Sequence, residues 1–320
     1  DIEDLRGLPK TSEVSRWRVR DDKLAAVKVP PTLTGLLQAR LDALPRPERE
    51  ALQRASVIGR LFWDDCVADL LQTETGAIDP VLAATRDREL IFRREHSAFA
   101  RCGEYIFKHV LLRDVAYETV LLRHKAEYHG RVARWLESHA GERLGEYLSL
   151  IAEHYIQAGE GVTAAGLLEC AGREALDTGE WLPAARALDQ ALALRRAAGE
   201  TAGPAVIAAN ISLGEAYFGL GDFASSQTAY EYGAAEAQRM GDSSAQVEAY
   251  AGLSRMSTLL GQSDRAKELA EAAISLARAD GGRLLGQALI AAASVASHLG
   301  DIEAAATLTT ETLAIHRAVG

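Results

Sequence analysis

The sequence has few of the residues that build covalent cross-links. Its 320 residues include only three cysteines, Cys66, Cys102 and Cys170, which are scattered and odd in number. Their spacing matches neither a disulfide framework nor a zinc site, so we expect free thiols in a reducing compartment. No apolar run reaches the roughly 18–20 residues of a membrane-spanning helix, and no signal segment opens the chain. These absences predict a cytoplasmic protein.

Motifs of common enzyme classes are also missing. The chain contains no Gly-Lys-Ser/Thr phosphate loop, no His-Glu-x-x-His motif, no Gly-x-Ser-x-Gly elbow and no dinucleotide-binding glycine fingerprint. Its many carboxylates lie on predicted helix faces beside arginines, a pattern typical of solvated surfaces. We therefore predict no catalytic residue, no metal site and no cofactor held by these residues alone.

The composition favours packed helices, and its charge is uneven. Aromatic residues make up only 6% of the chain, while alanine and leucine, both strong helix formers, are abundant. Residues 1–143 carry 24 basic and 23 acidic side chains, whereas residues 144–320 carry 11 and 22. The acidic second half should disfavour nucleic acid and favour basic partners, although simple solubility would also explain its charge.

The first half reads as short helices followed by two strands. Helices are predicted from Thr32, Glu48, Asp64 and Asp79, the last with Pro80 in its first turn. Strands are predicted over 90–93 and 104–107, and they lead into a helix that starts near His109. The apolar stripe expected on that helix consists of Val110, Leu111, Val115, Leu121 and Leu122.

The second half contains an internal repeat marked by five glycines. Gly159, Gly179, Gly221, Gly261 and Gly300 are each followed five residues later by a small side chain, namely Ala164, Ala184, Ser226, Ala266 and Ala305. Glycine permits the tight turn between two antiparallel helices, and small side chains let the helices cross closely. We expect a large residue of the first helix to fill the remaining space. Because one pair cannot bury its own apolar face, the pairs should stack into a right-handed solenoid.

Three segments carry a family resemblance. Residues 29–45 read VPPTLTGLLQARLDALP, residues 52–62 read LQRASVIGRLF, and residues 108–114 read KHVLLRD. They resemble the winged-helix portion of STAND-type signalling ATPases, in the forms that accompany adenylate cyclases or resemble maltose activators. The family has Met-His-Asp where this chain has Lys108, His109 and Val110. The repeats resemble tetratricopeptide repeats.

The resemblance implies a mainly α protein with a winged-helix domain followed by a tetratricopeptide-like α-solenoid. Residues 1–30 would be the tail of an upstream ATPase domain, 31–122 the winged helix, 123–145 a helical connector and 146–320 the repeats. It implies that His109 senses the phosphate of ATP or ADP held by an upstream domain of the full-length protein. The alternative for His109 is a structural role at the start of its helix. The abrupt ends lead us to expect a piece of a longer protein.

The repeat pattern also predicts a partner-binding groove. The residues expected to face it are Arg173, Leu176, Glu215, Phe218, Arg255, Thr258, Ser294, Ser297 and His298. The expected occupant is a protein, peptide or small ligand, and the alternative is that these residues face water or further repeats. Two other functions stay open. One is a passive interaction scaffold without a nucleotide link, and the other is DNA binding through Arg86 and Arg88, which Asp87 and Glu89 disfavour.

Overall fold

The computed structural model describes residues 2–4, 17–19, 31–278 and 282–319. The described chain divides into two compact units, Asp1–Leu122 and Arg123–Gly320. Near the start, strand β1 (Ile2–Asp4) pairs antiparallel with β2 (Trp17–Val19). Most of the segment 1–30, which the sequence assigns to an upstream domain, lies outside the described residues.

The first unit continues with helices, a strand, two more helices, a hairpin and a last helix. In chain order these are α1 (Pro31–Asp42), α2 (Arg46–Ile58), β3 (Leu61–Trp63), α3 (Asp64–Leu71), α4 (Thr75–Asp87), β4 (Ile91–Arg93), β5 (Glu104–Phe107) and α5 (Val110–Glu118). Strands β3, β5 and β4 form an antiparallel sheet in that order. The sequence predicts β4 and β5 but not β3, whose pairing partner β5 lies more than 40 residues away.

Helix α2 lies at the centre of the first unit, and its apolar residues recur at helical spacing. Leu52, Ala55 and Ile58 are buried. The helix ends at Gly59, whose backbone N–H donates to the carbonyl oxygen of Ala55. The Arg113 guanidinium of α5 donates to the carbonyl oxygen of Ser56 at 2.8 Å, which satisfies an acceptor near the helix end.

A buried carboxylate, Glu104, fixes the hairpin of the first unit. It accepts hydrogen bonds from Trp63 Nε1 at 3.1 Å, from Arg94 at 2.7 Å and from the backbone N–H of Ala98 at 2.9 Å. One side chain thereby connects β3, the end of β4 and the loop that leads to β5. Because all three donors converge on a carboxylate that is only 3% exposed, the loop conformation is specified by the interior.

Two predictions for the first unit are wrong. The helix that contains Pro80 begins at Thr75, so Pro80 lies inside it and not in its first turn. The predicted stripe on α5 is also displaced, because its buried residues are Leu112, Val115 and Ala116. Helix α5 ends at Glu118, before Leu121, and the turn that follows rotates the later residues away from the predicted face.

The second unit consists of antiparallel helices joined by short turns. They are α6 (Leu122–Ala140), which is followed by a 3₁₀ turn (Gly141–Arg143), then α7 (Leu144–Ala158), α8 (Gly161–Asp177), α9 (Trp181–Ala197), α10 (Pro204–Leu220), α11 (Phe223–Met240), α12 (Ser243–Leu259), α13 (Ser263–Ala277), α14 (Gly282–His298) and α15 (Ile302–Val319). Helix α8 pairs with α9, α10 with α11, α12 with α13 and α14 with α15. Successive pairs also contact one another, so the unit is a tetratricopeptide-like α-solenoid.

The turn glycines adopt the conformation that the sequence predicts. Gly159, Gly179, Gly221, Gly261 and Gly300 have φ values of 82°, 75°, 76°, 72° and 78°, in the left-handed region that favours glycine. Helix α8, between Gly159 and Gly179, packs against both α7 and α9. Gly199 and Gly241, at 83° and 73°, make equivalent turns between pairs that the sequence alignment does not include.

The close contacts within the pairs differ from the expected arrangement in one respect. Large side chains of both helices fill the space, not those of the first helix alone. A Cβ atom added at Gly233 of α11 would lie 2.9 Å from the side chain of Ile211 of α10, as the sequence predicts. A Cβ atom added at Gly172 of α8 would lie 2.6 Å from the side chain of Leu188 of α9, and one added at Gly214 of α10 would lie 2.8 Å from the ring of Tyr230 of α11. Glycine in the first helix therefore makes room for a large residue of the second.

No helix in the described part of the chain is long and apolar enough to cross a membrane. The three cysteines are reduced; Cys66 is buried and the other two are partly buried.

The turn conformation and the helix interior predict opposite effects of adding one methyl group. Gly221→Ala should lower the free energy of unfolding by about 1 kcal/mol, because alanine is disfavoured at positive φ. Gly166→Ala should raise it by about 0.5–1 kcal/mol, because Gly166 lies inside α8 and an added Cβ meets no atom within 4 Å. Thermal unfolding monitored by circular dichroism should show midpoint shifts of opposite sign, and shifts of the same sign would contradict this account.

Candidate functional site

The candidate groove residues lie on the first helices of four successive pairs. Arg173 and Leu176 are on α8, Glu215 and Phe218 on α10, Arg255 and Thr258 on α12, and Ser294, Ser297 and His298 on α14. Helix α10 contacts both α8 and α12, and α12 contacts α14. The four helices are therefore neighbours, so side chains on their shared face form one continuous surface.

The structure brings three of these residues together at the α10–α12 contact. The Arg255 guanidinium forms an ion pair with Glu215, and it lies over the Phe218 ring at 4.6 Å from the ring centroid. Both charged side chains are about two-fifths exposed, so the cluster is accessible from solvent. It presents an aromatic ring, a cation and an anion within one turn of each helix, which is suited to an amphipathic ligand.

A fourth member of this cluster, Tyr230 of α11, was not identified from the sequence. Its hydroxyl donates to Glu215 at 2.7 Å and accepts from Arg255 at 3.3 Å. Its ring is only 1% exposed and lies against both Gly214 and Gly252, where an added Cβ would come within 2.8 Å and 2.4 Å of it. The glycines at 214 and 252 are the only local sign of this contact, which joins residues distant in sequence.

Burial and the neighbouring Glu215 carboxylate raise the pKa of Tyr230 well above its usual value. The hydroxyl therefore stays protonated and keeps donating to Glu215 at neutral pH. The Nε atom of Arg255 is buried and has no acceptor among the described residues. Arg255 thus makes strong bonds through one end of its guanidinium while its Nε hydrogen remains unsatisfied, which is costly in a desolvated position.

The other candidate groove residues have different environments. Leu176 is half-buried and packs on the apolar core formed by α9 and α10. Thr258 is buried, and its hydroxyl donates to the carbonyl oxygen of Ser254 at 2.8 Å within α12. Arg173 is exposed and lies 3.3 Å from the sulfur of Cys170. Neither Leu176 nor Thr258 offers a polar group to a ligand in this arrangement.

The candidate residues on α14 are exposed and lie beside a shallow depression. Ser294 and Ser297 line a shallow depression of about 500 Å³ between α14 and α15, together with Thr309 of α15. His298, at the end of α14, is also exposed. These side chains are polar and lie one helix pair beyond the Glu215–Arg255 cluster, so they extend the candidate surface along the stack.

In the first unit, His109 is the residue immediately before α5. Its side chain is exposed and makes no cap hydrogen bond, while its backbone carbonyl accepts from Leu112 at 3.1 Å. Lys108 beside it pairs with Glu89 at 2.5 Å and lies over the Phe92 ring at 5.5 Å. The imidazole is therefore presented to solvent, while its lysine neighbour is held by the hairpin.

The arginines considered for DNA binding are already engaged. Arg88 Nε donates to Glu48 of α2 at 2.8 Å, and its backbone carbonyl accepts from Arg40 at 2.6 Å. Arg86 lies 3.6 Å from Asp87. The Arg88 contacts hold the end of α4 against its own unit, and a carboxylate beside each arginine disfavours the net basic face that phosphate binding requires.

Comparison with known proteins gives no family assignment. No family model matches the chain, and no curated protein matches it significantly. Among solved structures it is similar to a putative kinesin light chain with tetratricopeptide-like repeats from Podosopora anserina, with 18% identity over 61% of this chain and 95% of that one and a TM-score of 0.46. It is also similar to BtubC from P. vanneervenii, with 18% identity over 62% and 92% and a TM-score of 0.44.

A third similar structure is a signal-transduction ATPase with numerous domains and a tetratricopeptide-repeat sensor from Pyrococcus horikoshii. The identity is 14%, the TM-score is 0.47, and the alignment covers 91% of this chain but only 47% of that one. This chain therefore spans about half the length of that ATPase. Because all three TM-scores are below 0.5, the fold description depends on the helix pairs themselves.

The contact of Tyr230 with Gly252 predicts that the effect on stability of a substitution at either position depends on the residue at the other. Gly252→Ala should lower the free energy of unfolding by about 1–3 kcal/mol, because the new methyl group collides with the ring. In a Tyr230→Leu background the same change should cost clearly less, since the ring is absent. A double-mutant cycle from denaturant unfolding measures the difference, and equal costs in both backgrounds would show that the ring does not set this spacing.

Proposed function

We propose that the solenoid is a binding module for a protein or peptide and that it serves as the sensor of a STAND-type signalling ATPase. The observation that carries the proposal is the cluster of Glu215, Phe218, Arg255 and Tyr230 on the shared face of α10 and α12. It lies where the repeat pattern predicts a groove, and it combines an aromatic surface with two partly exposed charges.

The chemistry of this cluster suits an amphipathic peptide. An aromatic ring that is partly exposed at the centre of a surface provides an anchor for an apolar side chain. Arg255 can exchange its bonds with Glu215 for bonds to a carboxylate or carbonyl of the partner, and this exchange gives specificity. Serines and His298 on α14 add hydrogen-bonding groups farther along the same succession of helices.

The first unit supports the second half of the proposal, an intramolecular switch. Its order of helix, strand, two helices and hairpin, with the sheet order β3–β5–β4, is the arrangement that a winged helix requires. In the proposed switch, His109 contacts the phosphate of ATP or ADP held by an upstream domain of the full-length protein. Its exposed imidazole, with no hydrogen bond within the described residues, is compatible with such a contact. The proposed location is the cytoplasm.

A passive interaction scaffold is the competing function, because groove binding alone needs no nucleotide. The two alternatives share the solenoid and differ in the first unit, so a test at His109 separates them. DNA binding is disfavoured by the engaged Arg88 and by the cavity beside α4, where Asp64 and Asp79 lie among the arginines.

Peptides selected from a random display library against the chain test the groove. Phe218→Ala and Arg255→Ala should each weaken the selected peptides by about 10-fold or more, the loss typical of a central anchor. Arg265→Ala is the matched control, because Arg265 is an exposed arginine on the second helix α13. Calorimetric titration provides the measurement. Peptides that bind all variants equally would exclude this face as the binding site.

His109→Ala tests the nucleotide switch in protein that includes its upstream nucleotide domain. The change should alter the rate of nucleotide release by several-fold without shifting the unfolding midpoint, because the side chain is exposed and makes no internal bond. Stopped-flow release of a fluorescent ADP analogue gives the rate. His96→Ala, a change at another exposed histidine of the first unit, is the control. An unchanged release rate would favour the scaffold.

A further inference from the structure

A second cavity lies on the opposite side of α10 from the groove. It has a volume of about 430 Å³ and is bounded by α9, α10 and α11. Its α10 residues recur every three or four positions and face away from Glu215 and Phe218 by the helical period; they are Val206, Asn210, Leu213 and Tyr217. We call this cavity the α9–α11 pocket. Nothing in the groove proposal requires it.

The pocket is associated with a long connection between two helix pairs. Residues 198–203 join α9 to α10, whereas only Gly241 and Asp242 join α11 to α12. Two residues of the long connection, Glu200 and Thr201, line the pocket. The Tyr232 hydroxyl of α11 donates to the carbonyl oxygen of Thr201 at 2.5 Å. This bond holds the connection across the end of the pocket and fixes its shape.

The pocket has an apolar floor and polar ends, as small-molecule sites do. The floor consists of Leu192, Val206, Leu213 and Ala229, which are buried core residues. Asp189 and Arg196 stand at opposite ends on the same face of α9. They are seven residues apart, which corresponds to about 10 Å along a helix. A ligand that spans both ends is therefore the length of a substituted benzene ring with a short side chain.

The ion pairs and hydrogen bonds of the charged lining residues indicate where in the pocket a charged group of a ligand would bind. The Asp189 carboxylate already accepts from the Tyr217 hydroxyl at 2.6 Å, and Glu200 accepts from Arg195 at 2.7 Å. The bond to Asp189, followed by burial, raises the pKa of Tyr217 to about 12, so this hydroxyl stays protonated. Arg196 is exposed and forms no ion pair within the described part of the chain. A ligand would therefore place an anion beside Arg196.

We propose that the α9–α11 pocket binds a small aromatic organic acid. The carboxylate pairs with Arg196, the ring lies on the apolar floor, and a hydroxyl at the far end donates to the remaining oxygen of Asp189. An acid without that hydroxyl binds more weakly, and an amine of the same shape does not bind, because it meets the arginine.

The probes are 4-hydroxyphenylacetate, phenylacetate and tyramine, titrated against the full chain at low salt and followed by ligand-observed NMR and calorimetry. Arg196→Gln should weaken 4-hydroxyphenylacetate about fivefold, as expected for a partly exposed ion pair. Thr228→Trp, a change at an exposed lining residue of α11, should abolish binding by filling the pocket. Arg186→Gln is the matched control, because Arg186 is exposed on α9 and does not line the pocket.

The proposal is supported if both acids bind saturably, with the hydroxylated one tighter, and if Arg196→Gln and Thr228→Trp weaken them while Arg186→Gln does not. It is overturned if neither acid binds at millimolar concentration, if the two pocket variants bind as the unchanged chain does, or if tyramine binds as tightly as the acids. Circular dichroism of each variant checks its folding. The groove peptides should bind Arg196→Gln normally, so the two sites are tested independently.

Discussion

The second unit depends on helices approaching closely at glycine, with one large side chain in each gap. Gly172 faces Leu188, while Gly214 and Gly252 together enclose the Tyr230 ring. Close packing of this kind tolerates little change in volume, because the surrounding backbones cannot move independently. The spacing within and between the pairs is therefore set by a few large side chains that lie beside glycines, and the positions of the candidate groove residues follow from that spacing.

The same constraint explains why the candidate groove has one well-defined cluster. Tyr230 brings its hydroxyl to the surface between α10 and α12 while its ring stays buried. Glu215 and Arg255 are thus oriented by a side chain that cannot rotate away. The α8 and α14 candidates lack a buried hydroxyl of this kind among the described residues; Leu176 packs on the apolar core, and the others are exposed. Binding energy is expected to concentrate where the side chains are already ordered.

The sequence predicts the repeat unit well because its signals are local. A glycine at positive φ is visible as a residue type, and the five turn glycines are in the predicted conformation. Counting back from those turns selects positions 215, 218 and 255 as candidates, and the structure brings the three side chains into contact. Tyr230 was missed because its contacts depend on the distance between two helix pairs. The same count from the turn glycine selects Thr258, yet Thr258 is buried. The count gives the face of the helix on which a residue lies but not the solvent exposure of its side chain.

The first unit shows the limits of the same reasoning. The sequence predicts α2 as a helix, but the stripe predicted for α5 fails within the helix, where Val110 is exposed, and beyond it, because the helix ends at Glu118. Strand β3 is specified by its pairing with β5, a partner more than 40 residues away, and no local pattern reveals that pairing.

The Tyr230 hydroxyl, which bonds both Glu215 and Arg255, connects the surface of the candidate groove to the packing of the helices beneath it. A partner that moved Arg255 outward would break its hydrogen bond to the Tyr230 hydroxyl. Because the Tyr230 ring lies between the backbones of α10 and α12, a change at the surface would reach the contact that sets the spacing of these helices. Tyr230 thus couples the candidate groove, which its hydroxyl contacts, to the core, in which its ring is buried.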